Sequence, residues 1–241
     1  MFPDLPRRAL ITGASRGIGK ATAHALAQAG FDLALLGRSL ERLQPVGDDL
    51  AQYGITAKAY AVDLAEQAGL KDRLATIMAD FGPLSVLVNN AGMGYTGALG
   101  TMPLDHWQRV LDLNLTSVFQ CIQAALPQLR SQGGGTIVNV ASIAAQQAFA
   151  DWGAYTVSKA GLVALSKVLA AEERSHGIRV VTLFPGAVNT PIWDTETVQA
   201  DFDRSQMLTP EVVAQTILST ILLPPQAVIE ELTLMPAGGA L

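Results

Sequence analysis

Tyr155 and Lys159 stand four positions apart at the start of a segment with a helical pattern. Residues with this spacing share one helix face, so the phenol and the ammonium can meet. A free phenol, with a pKa near 10, is a poor acid or base at neutral pH, and a neighbouring positive charge lowers that pKa. Ser142 ends the preceding apolar segment, where its hydroxyl either holds a carbonyl oxygen beside the phenol or caps the strand end. The three residues predict a site that moves a proton to or from a carbonyl or alcohol oxygen.

A second chemical signal is TGASRGIG at residues 12–19, which follows the first predicted strand and opens a helix. Gly13 permits a tight turn, Gly17 lets the backbone approach a pyrophosphate, and Gly19 lets the helix pack closely on the strand. Unpaired N–H groups at the helix start then bind the anion. Strand-to-helix turns also use glycines for structure alone, but the strand context and the spacing favour a dinucleotide site.

The end of the second predicted strand bears on the choice of dinucleotide. A dinucleotide site usually has an acid there that binds the ribose hydroxyls, but this chain has Gly37, followed by Arg38. Arg38 and Arg16 of the glycine loop can pair with a 2′-phosphate, which no carboxylate at this position repels. The residues therefore favour NADP (NADPH) over NAD. Two ordinary solvated arginines near helix starts are the alternative.

Short apolar runs and longer helical patterns alternate along the chain and must position these groups. The predicted strands are Arg8 to Thr12, Asp32 to Leu36, Thr56 to Ala61, Leu84 to Val88, Thr136 to Ala141, Arg179 to Phe184 and Val228 to Met235. The predicted helices are Ile18 to Gln28, Leu40 to Tyr53, Ala65 to Phe81, Leu104 to Leu129, Tyr155 to Ser175 and Pro210 to Leu222. This alternation predicts an α/β fold: a single Rossmann-like, doubly wound domain with a seven-stranded parallel sheet and helices on both faces.

Two segments with neither pattern, Asn89 to Met102 and Pro185 to Leu208, follow predicted strands on the carboxyl side. Ligands of open α/β sheets bind at that edge, so both segments are expected to form walls of a site. The second segment is long for a plain connection. Residues 187–208 within it are therefore predicted to form a substrate loop or lid.

Composition bounds the class of protein. The 241 residues are 49% hydrophobic and 15% charged, enough for a full core and too apolar for a disordered chain. The net charge of −5 without a basic segment argues against nucleic acid. No run approaches the roughly 18 apolar residues of a membrane span, so a cytoplasmic protein is expected. Cys121 is interpreted as a buried apolar residue, and His24, His106 and His176 as scattered helix-surface residues without a metal motif.

Together the motifs resemble those of the short-chain dehydrogenase/reductase family, from Arg8 to Gly239. The glycine loop matches the family's cofactor loop, residues 89–92 match its NNAG segment, and residues 155–159 match its YxxxK. Further matches are Asn114, Ser142, Pro185, Gly186 and Thr190. The resemblance implies an enzyme that moves a hydride between NADPH and a carbonyl or alcohol substrate.

The resemblance also implies residue roles. Tyr155 is expected to exchange a proton with the substrate oxygen, Lys159 to lower the pKa of Tyr155 and bond the nicotinamide ribose, and Ser142 to polarise the carbonyl. Asn114 is expected to hold a water that connects Lys159 to solvent, or is merely a satisfied polar residue on its helix. Asp63 is expected to contact the adenine amino group or, alternatively, to cap the next turn. The other implied cofactor residues are Ser15, Ile18, Leu64, Asn89, Asn90, Ala91, Gly92, Pro185, Gly186, Val188 and Thr190.

The expected substrate pocket is mostly apolar. Besides Ser142 it comprises Met93, Tyr95, Phe149, Trp152, Ile192 and Trp193, each of which could instead serve lid packing. Such a pocket suits a small to medium apolar ketone or aldehyde. In the lid, Asp194, Glu196, Asp201 and Asp203 stand against Arg204 alone, which weakly disfavours an anionic substrate or an acidic carrier protein.

Two other functions stay open at this stage. A 3-oxoacyl-carrier-protein reductase shares the same chemistry, and a non-catalytic NADP-binding sensor or scaffold shares the same fold. The helical segments around Leu104 to Leu129 and Tyr155 to Ser175 offer spare apolar faces, so the resemblance implies a homodimer or homotetramer.

Overall fold

Seven parallel strands form one sheet in the computed structural model, which describes residues 4–200 and 203–239. The strands are β1 (Arg8–Thr12), β2 (Asp32–Gly37), β3 (Ala57–Ala61), β4 (Val86–Asn89), β5 (Gly135–Val140), β6 (Ile178–Pro185) and β7 (Glu231–Leu234). They lie in the order β3-β2-β1-β4-β5-β6-β7, and every pairing is parallel. The predicted seven-stranded parallel sheet is confirmed.

Helices cover both faces of the sheet. They are α1 (Gly17–Gln28), α2 (Leu40–Leu50), α3 (Leu70–Phe81), α4 (Leu104–Leu111), α5 (Ser117–Ser131), α6 (Gly153–Glu173) and α7 (Pro210–Ile221). Successive strand residues point to opposite faces, so Ile11 packs with α1, α2 and α7, while its neighbour Leu10 packs with α3, α5 and α6. Two apolar layers thus enclose the sheet, as expected of a single doubly wound domain.

The structure corrects two predicted helices. The segment from Leu104 to Leu129 is interrupted by a π-helical turn, Asp112–Thr116, and becomes α4 and α5. Helix α3 begins at Leu70 and not at Ala65, because Gly69 takes a left-handed φ of +67° just before it. Hydrophobic periodicity alone does not reveal either irregularity, since the apolar spacing continues through both.

The strand order reverses on either side of β1, whose neighbours are β2 and β4. In doubly wound sheets the crevice for a ligand opens there, at the carboxyl ends of the strands. The loops after β1, β4, β5 and β6 all emerge at this edge. Among the helices of residues 4–200 and 203–239, none is long and apolar enough to cross a membrane.

Candidate active site

The glycine loop has a backbone that only glycine adopts easily. Gly13 and Gly17 have φ values of +68° and +54°. A Cβ on Gly19 would lie 2.2 Å from the carbonyl oxygen of Gly13, so that position has no room for a side chain. Helix α1 starts at Gly17, and the residue before it, Arg16, makes no side-chain cap. The first N–H groups of α1 are therefore free to bind an anion.

Thr12 and Asn90 join the glycine loop to the loop after β4. The Thr12 hydroxyl oxygen accepts hydrogen bonds from the backbone N–H groups of Asn90 and Ala91, both at 3.0 Å. In return, Asn90 Nδ2 donates to the Thr12 carbonyl oxygen at 2.9 Å. This exchange fixes the floor of the crevice. Sequence reasoning missed Thr12, although a hydroxyl at a strand end beside a glycine loop is a usable signal.

A cavity of about 730 Å³ opens above this floor, within the size range of small-molecule sites. It brings together nearly all the predicted site residues: Gly13, Ser15, Arg16, Gly17, Ile18, Arg38, Asp63, Leu64, Asn90, Ala91, Gly92, Tyr95, Ser142, Phe149, Trp152, Tyr155, Lys159, Pro185, Gly186, Val188, Thr190 and Trp193. Gly19, Asn89 and Asn114 are buried and do not line the cavity. They lie behind the residues that line the cavity.

Ser142, Tyr155 and Lys159 meet on one side of the cavity. Ser142 caps the turn after β5 through Ala144 N (3.1 Å) and also hydrogen-bonds the phenol of Tyr155. Lys159 is 4% exposed, and its Nζ donates to the Val140 carbonyl oxygen at 2.8 Å. The same Nζ lies 5.8 Å from the centre of the Tyr155 ring. The groups are in place to act on one substrate oxygen.

The protonation of this group differs from the expectation. Burial raises the pKa of Tyr155, and the Ser142 hydrogen bond only partly offsets that effect. The predicted lowering of the Tyr155 pKa by Lys159 is therefore absent from this structure, because burial disfavours the phenolate and only the Ser142 hydrogen bond opposes that effect. Burial also lowers the pKa of Lys159 to about 8. At neutral pH the arrangement favours a protonated phenol beside a protonated lysine.

Asn114 braces the site. It lies in the π-helical turn and is fully buried. Its Oδ1 accepts from Met93 N at 2.8 Å, and its Nδ2 donates to the Met93 carbonyl oxygen at 2.9 Å and to Ser158 Oγ at 3.1 Å. Ser158 in turn donates to the Tyr155 carbonyl oxygen at 2.7 Å. The side chain thus joins the loop after β4 to the first turns of α6.

Arg16 and Arg38 are exposed and line the cavity, and no contact with another residue of the described chain holds either guanidinium. Both are available to an anionic group. Asp63 also lines the cavity while its Oδ1 accepts from Ala65 N at 2.9 Å. The capping alternative for Asp63 is therefore real, and it leaves the second carboxylate oxygen available to another donor.

Aromatic rings form the wall beside Tyr155. The Trp152 ring meets the rings of Tyr155 and Trp193 edge to face, with centroids 5.3 and 5.8 Å apart. Trp193 Nε1 donates to the Val188 carbonyl oxygen at 2.7 Å, which fixes its indole. Phe149 and Ile192 line the same cavity. Little of this wall can hydrogen-bond a ligand.

Arg204 braces the predicted lid internally, and Thr197 ties it to a neighbouring loop. Arg204 donates to Asn189 Oδ1 (2.9 Å), to the Thr190 carbonyl oxygen (2.8 Å) and to Asp194 (2.6 Å). Thr197 contacts the loop after β4, because its hydroxyl donates to the Gly94 carbonyl oxygen at 2.8 Å and its own carbonyl accepts from Thr96 N. The Asp194 charge is thereby paired.

The other acidic residues of the lid differ in their surroundings. Asp203 caps Ser205, accepting from its backbone N–H and its hydroxyl. Glu196 lines the cavity. Asp201 lies outside the described residues. The acidity read from the sequence therefore reaches the cavity mainly through Glu196.

Several cavity residues escaped sequence reasoning. His106, interpreted as a helix-surface residue, lines the cavity and its Nδ1 hydrogen-bonds the Tyr95 hydroxyl at 2.9 Å. Arg109, one turn along α4, lines the cavity too. Met235 lies against Gly186, where an added Cβ would be 3.0 Å from its sulfur. A pattern of i and i+3 polar residues on α4 was the available signal for the first two. Within the described ranges, no cluster of His, Cys, Asp or Glu could hold a metal ion.

A doubly wound sheet with a glycine loop at its switch point and a Ser-Tyr-Lys group beside it defines a class, the Rossmann-like oxidoreductases. Comparison with known proteins gives the family. The sequence profile described as short chain dehydrogenase matches residues 7–201, and the chain belongs to that family. Its members are oxidoreductases that use a nicotinamide cofactor and act on alcohol or carbonyl groups.

Relatives within the family differ in their substrates. The chain is 35% identical over 219 residues to the cyclohexanol dehydrogenase of Acinetobacter sp. (strain SE19), covering 87% of this chain and 85% of that protein. It is 35% identical over 206 residues to a 3-oxoacyl-[acyl-carrier-protein] reductase of Staphylococcus aureus, covering 85% and 82%. The structure of an alcohol dehydrogenase from the archaeon Thermococcus sibiricus, complexed with 5-hydroxy-NADP, superposes with a TM-score of 0.87 at 29% identity, covering 95% and 96% of the two chains.

Proposed function

We propose that this protein is an NADP-dependent short-chain oxidoreductase that interconverts a small to medium apolar ketone or aldehyde and its alcohol. The observation that carries the proposal is the meeting of Ser142, Tyr155 and Lys159 on one wall of a cavity whose floor is the glycine loop. A non-catalytic sensor would not need this buried proton-transfer group. The apolar wall of Trp152 and Trp193 supports an apolar substrate.

The cavity fits a dinucleotide. Positive φ angles at Gly13 and Gly17 and the crowding at Gly19 create a cradle that side chains would fill. The free N–H groups of α1 would hold the pyrophosphate, and Asp63 the adenine end. Arg16 and Arg38 support NADP, because two unpaired guanidiniums at the cavity edge suit a 2′-phosphate. The further cofactor roles assigned from the sequence to Asn90, Gly92, Pro185 and Thr190 remain part of this proposal.

When bound, the nicotinamide supplies a hydride for carbonyl reduction or accepts one in alcohol oxidation. The protein's own part is proton transfer and orientation. In reduction, the Ser142 hydroxyl donates to the carbonyl oxygen and the Tyr155 phenol delivers its proton to the same atom. Lys159, protonated below about pH 8, stabilises the phenolate that results. Asn114 holds α6 and the loop after β4 together through its hydrogen bonds to Met93 and Ser158.

Cofactor choice is the first test. Titration with NADPH and NADH, followed by nicotinamide fluorescence, should show tighter binding of NADPH, and Arg38→Asp should remove the preference. The matched control is Arg42→Asp, the same charge change at an exposed residue outside the cavity. Equal binding of both cofactors to the unaltered protein would refute the roles of Arg16 and Arg38.

Turnover is the second test. NADPH oxidation should occur with cyclohexanone or related ketones and disappear in Tyr155→Phe while NADPH binding persists. The competing function is a 3-oxoacyl-carrier-protein reductase, the activity for which the relative from Staphylococcus aureus is named. A higher kcat/KM for acetoacetyl-carrier-protein than for free ketones would favour that competitor. Absence of turnover across carbonyls and alcohols would favour a sensor or scaffold.

The proposal extends to assembly and location. Leu104, Phe119, Val157 and Val168 expose apolar side chains on α4, α5 and α6. Such a surface suits a homodimer or homotetramer, which light scattering would measure. We place the protein in the cytoplasm, where a soluble NADP-dependent reductase finds its cofactor. It needs neither nucleic acid nor membrane for this activity.

A further inference from the structure

One polar pair interrupts the apolar part of the cavity wall. Tyr95, in the loop after β4, and His106, on α4, both line the cavity. The Tyr95 hydroxyl and His106 Nδ1 are 2.9 Å apart, and the two ring centres are 5.2 Å apart. The proton transfer described above uses neither residue. The pair therefore calls for a separate explanation.

The backbone just after Tyr95 is held by hydrogen bonds to two other segments of the chain. Thr96 N donates to the Thr197 carbonyl oxygen of the lid, and Gly97 N donates to the Asp151 carbonyl oxygen, next to Trp152. A Cβ on Gly97 would lie 3.1 Å from the Tyr95 ring, so the glycine leaves room for that ring. Tyr95 is thus held between the lid and the segment just before α6, and its side chain lines the cavity.

The 2.9 Å contact between Tyr95 and His106 allows either direction, and the surroundings of His106 favour one of them. Its Nε2 faces the Asp105 carboxylate at 4.0 Å, which favours a proton on Nε2. In the neutral ring Nδ1 is then an acceptor, so the Tyr95 hydroxyl donates to it. The phenol oxygen keeps acceptor capacity, and no other contact within residues 4–200 and 203–239 takes it. The cavity wall consequently presents an acceptor to the substrate.

We propose that Tyr95, oriented by His106, accepts a hydrogen bond from a substrate hydroxyl group other than the reacting oxygen. The preferred substrates are then hydroxyketones and the corresponding diols. This inference rests on the proposed function, since Ser142 and Tyr155 hold the reacting oxygen while Tyr95 accepts from the other one. Trp152 and Trp193 pack against the hydrocarbon between the two oxygens. Tyr95 is a specificity-determining residue and His106 a positioning residue.

The test compares matched substrates. The kcat/KM values for 2-, 3- and 4-hydroxycyclohexanone are measured against cyclohexanone and the corresponding methoxy compounds. At least one hydroxyketone should be preferred over cyclohexanone by about three- to tenfold, as expected for one neutral hydrogen bond. Its methoxy analogue, which has no donor, should not be preferred. A preference for the methoxy compound over the hydroxyketone would overturn the assigned hydrogen-bond direction and with it the proposal.

Tyr95→Phe keeps the ring and removes the acceptor, so the hydroxyketone preference should vanish. His106→Phe, which removes the orienting nitrogen, should weaken the same preference. Tyr53→Phe is the matched control, because it also removes a hydroxyl with one side-chain partner, Gln28, outside the cavity. If Tyr95→Phe lowers kcat/KM for hydroxyketone and cyclohexanone equally, the residue only shapes the wall and the proposal is wrong.

A binding measurement separates this inference from the proposed function. With NADPH present, cyclohexane-1,2-, 1,3- and 1,4-diol are compared with cyclohexanol for their effect on the thermal midpoint of the unaltered protein and of Tyr95→Phe. A larger upward shift by a diol, lost in the variant, supports the proposal even if no ketone turns over. Equal shifts by the diols and cyclohexanol overturn it even if cyclohexanone is reduced.

Discussion

Replacing Asn114 by alanine should weaken both the fold and the catalytic group. The substitution removes three hydrogen bonds, two to the backbone of Met93 and one to Ser158. At about 1 kcal/mol each, these amount to about 3 kcal/mol of unfolding free energy. Ser158 keeps its bond to the Tyr155 carbonyl oxygen, so it is not left without a partner. A loss of this size is a substantial share of a typical stability of about 5–15 kcal/mol.

Urea unfolding measures this loss. With a slope of about 3 kcal/mol/M, the midpoint of Asn114→Ala should fall by about 1 M without a change in slope. At urea concentrations below the unfolding transition, turnover by Asn114→Ala should fall by about 10- to 100-fold, because the first turns of α6 lose a supporting contact and the reacting groups shift.

Asn139→Ala is the matched control. Asn139 is also a fully buried amide, bonded to Asn89 and Ser166, and it does not line the cavity. Its two hydrogen bonds predict a loss of about 2 kcal/mol with turnover retained. Wild-type stability in Asn114→Ala, or an equal loss of turnover in both variants, would refute the reasoning.

Three further outcomes follow from the site. Because burial lowers the pKa of Lys159 to about 8, the rate of ketone reduction should fall as pH rises through that value. Lys159→Arg stays charged, so its pH–rate profile should lack this fall. A fall that persists in the variant would assign it to another group. Gly19→Ala places a methyl 2.2 Å from the Gly13 carbonyl oxygen, so NADPH affinity should drop at least tenfold by fluorescence titration; unaltered affinity would show that the loop yields easily. Arg204→Gln removes the pairing with Asp194 and should speed proteolysis within the lid without lowering the unfolding midpoint; unchanged cleavage would mean that the remaining lid contacts, such as those of Thr197 and Gln199 with the loop after β4, suffice to hold it.

Much of the fold follows from the sequence because its signals are local. Alternating strand and helix patterns predicted seven strands and the doubly wound sheet, and the glycine spacing located the crevice. The π-helical turn at Asn114 was not predictable in the same way, since its apolar spacing resembles that of an ordinary helix. The turn holds a buried amide that pairs with the Met93 backbone, a tertiary contact that local spacing does not show.

The electrostatics of the site were the least accessible part. Spacing placed Lys159 beside Tyr155, but it did not reveal that both groups are desolvated, which raises one pKa and lowers the other. His106 and Met235 also line the cavity for tertiary reasons. Each residue reaches the cavity because of where α4 and β7 lie in the assembled fold. The i, i+3 polar pattern marks one face of α4 but does not show what that face meets.

The cavity joins parts of the chain that are remote in sequence, from Gly13 after the first strand to Met235 after the last. A ligand that fills it contacts the folded protein and finds no comparable site in the unfolded chain. By mass action, a cofactor at 100 times its dissociation constant adds about 2.7 kcal/mol to the stability of the whole domain. A bound nicotinamide cofactor should therefore protect the whole domain from proteolysis, and not only the loops that it touches.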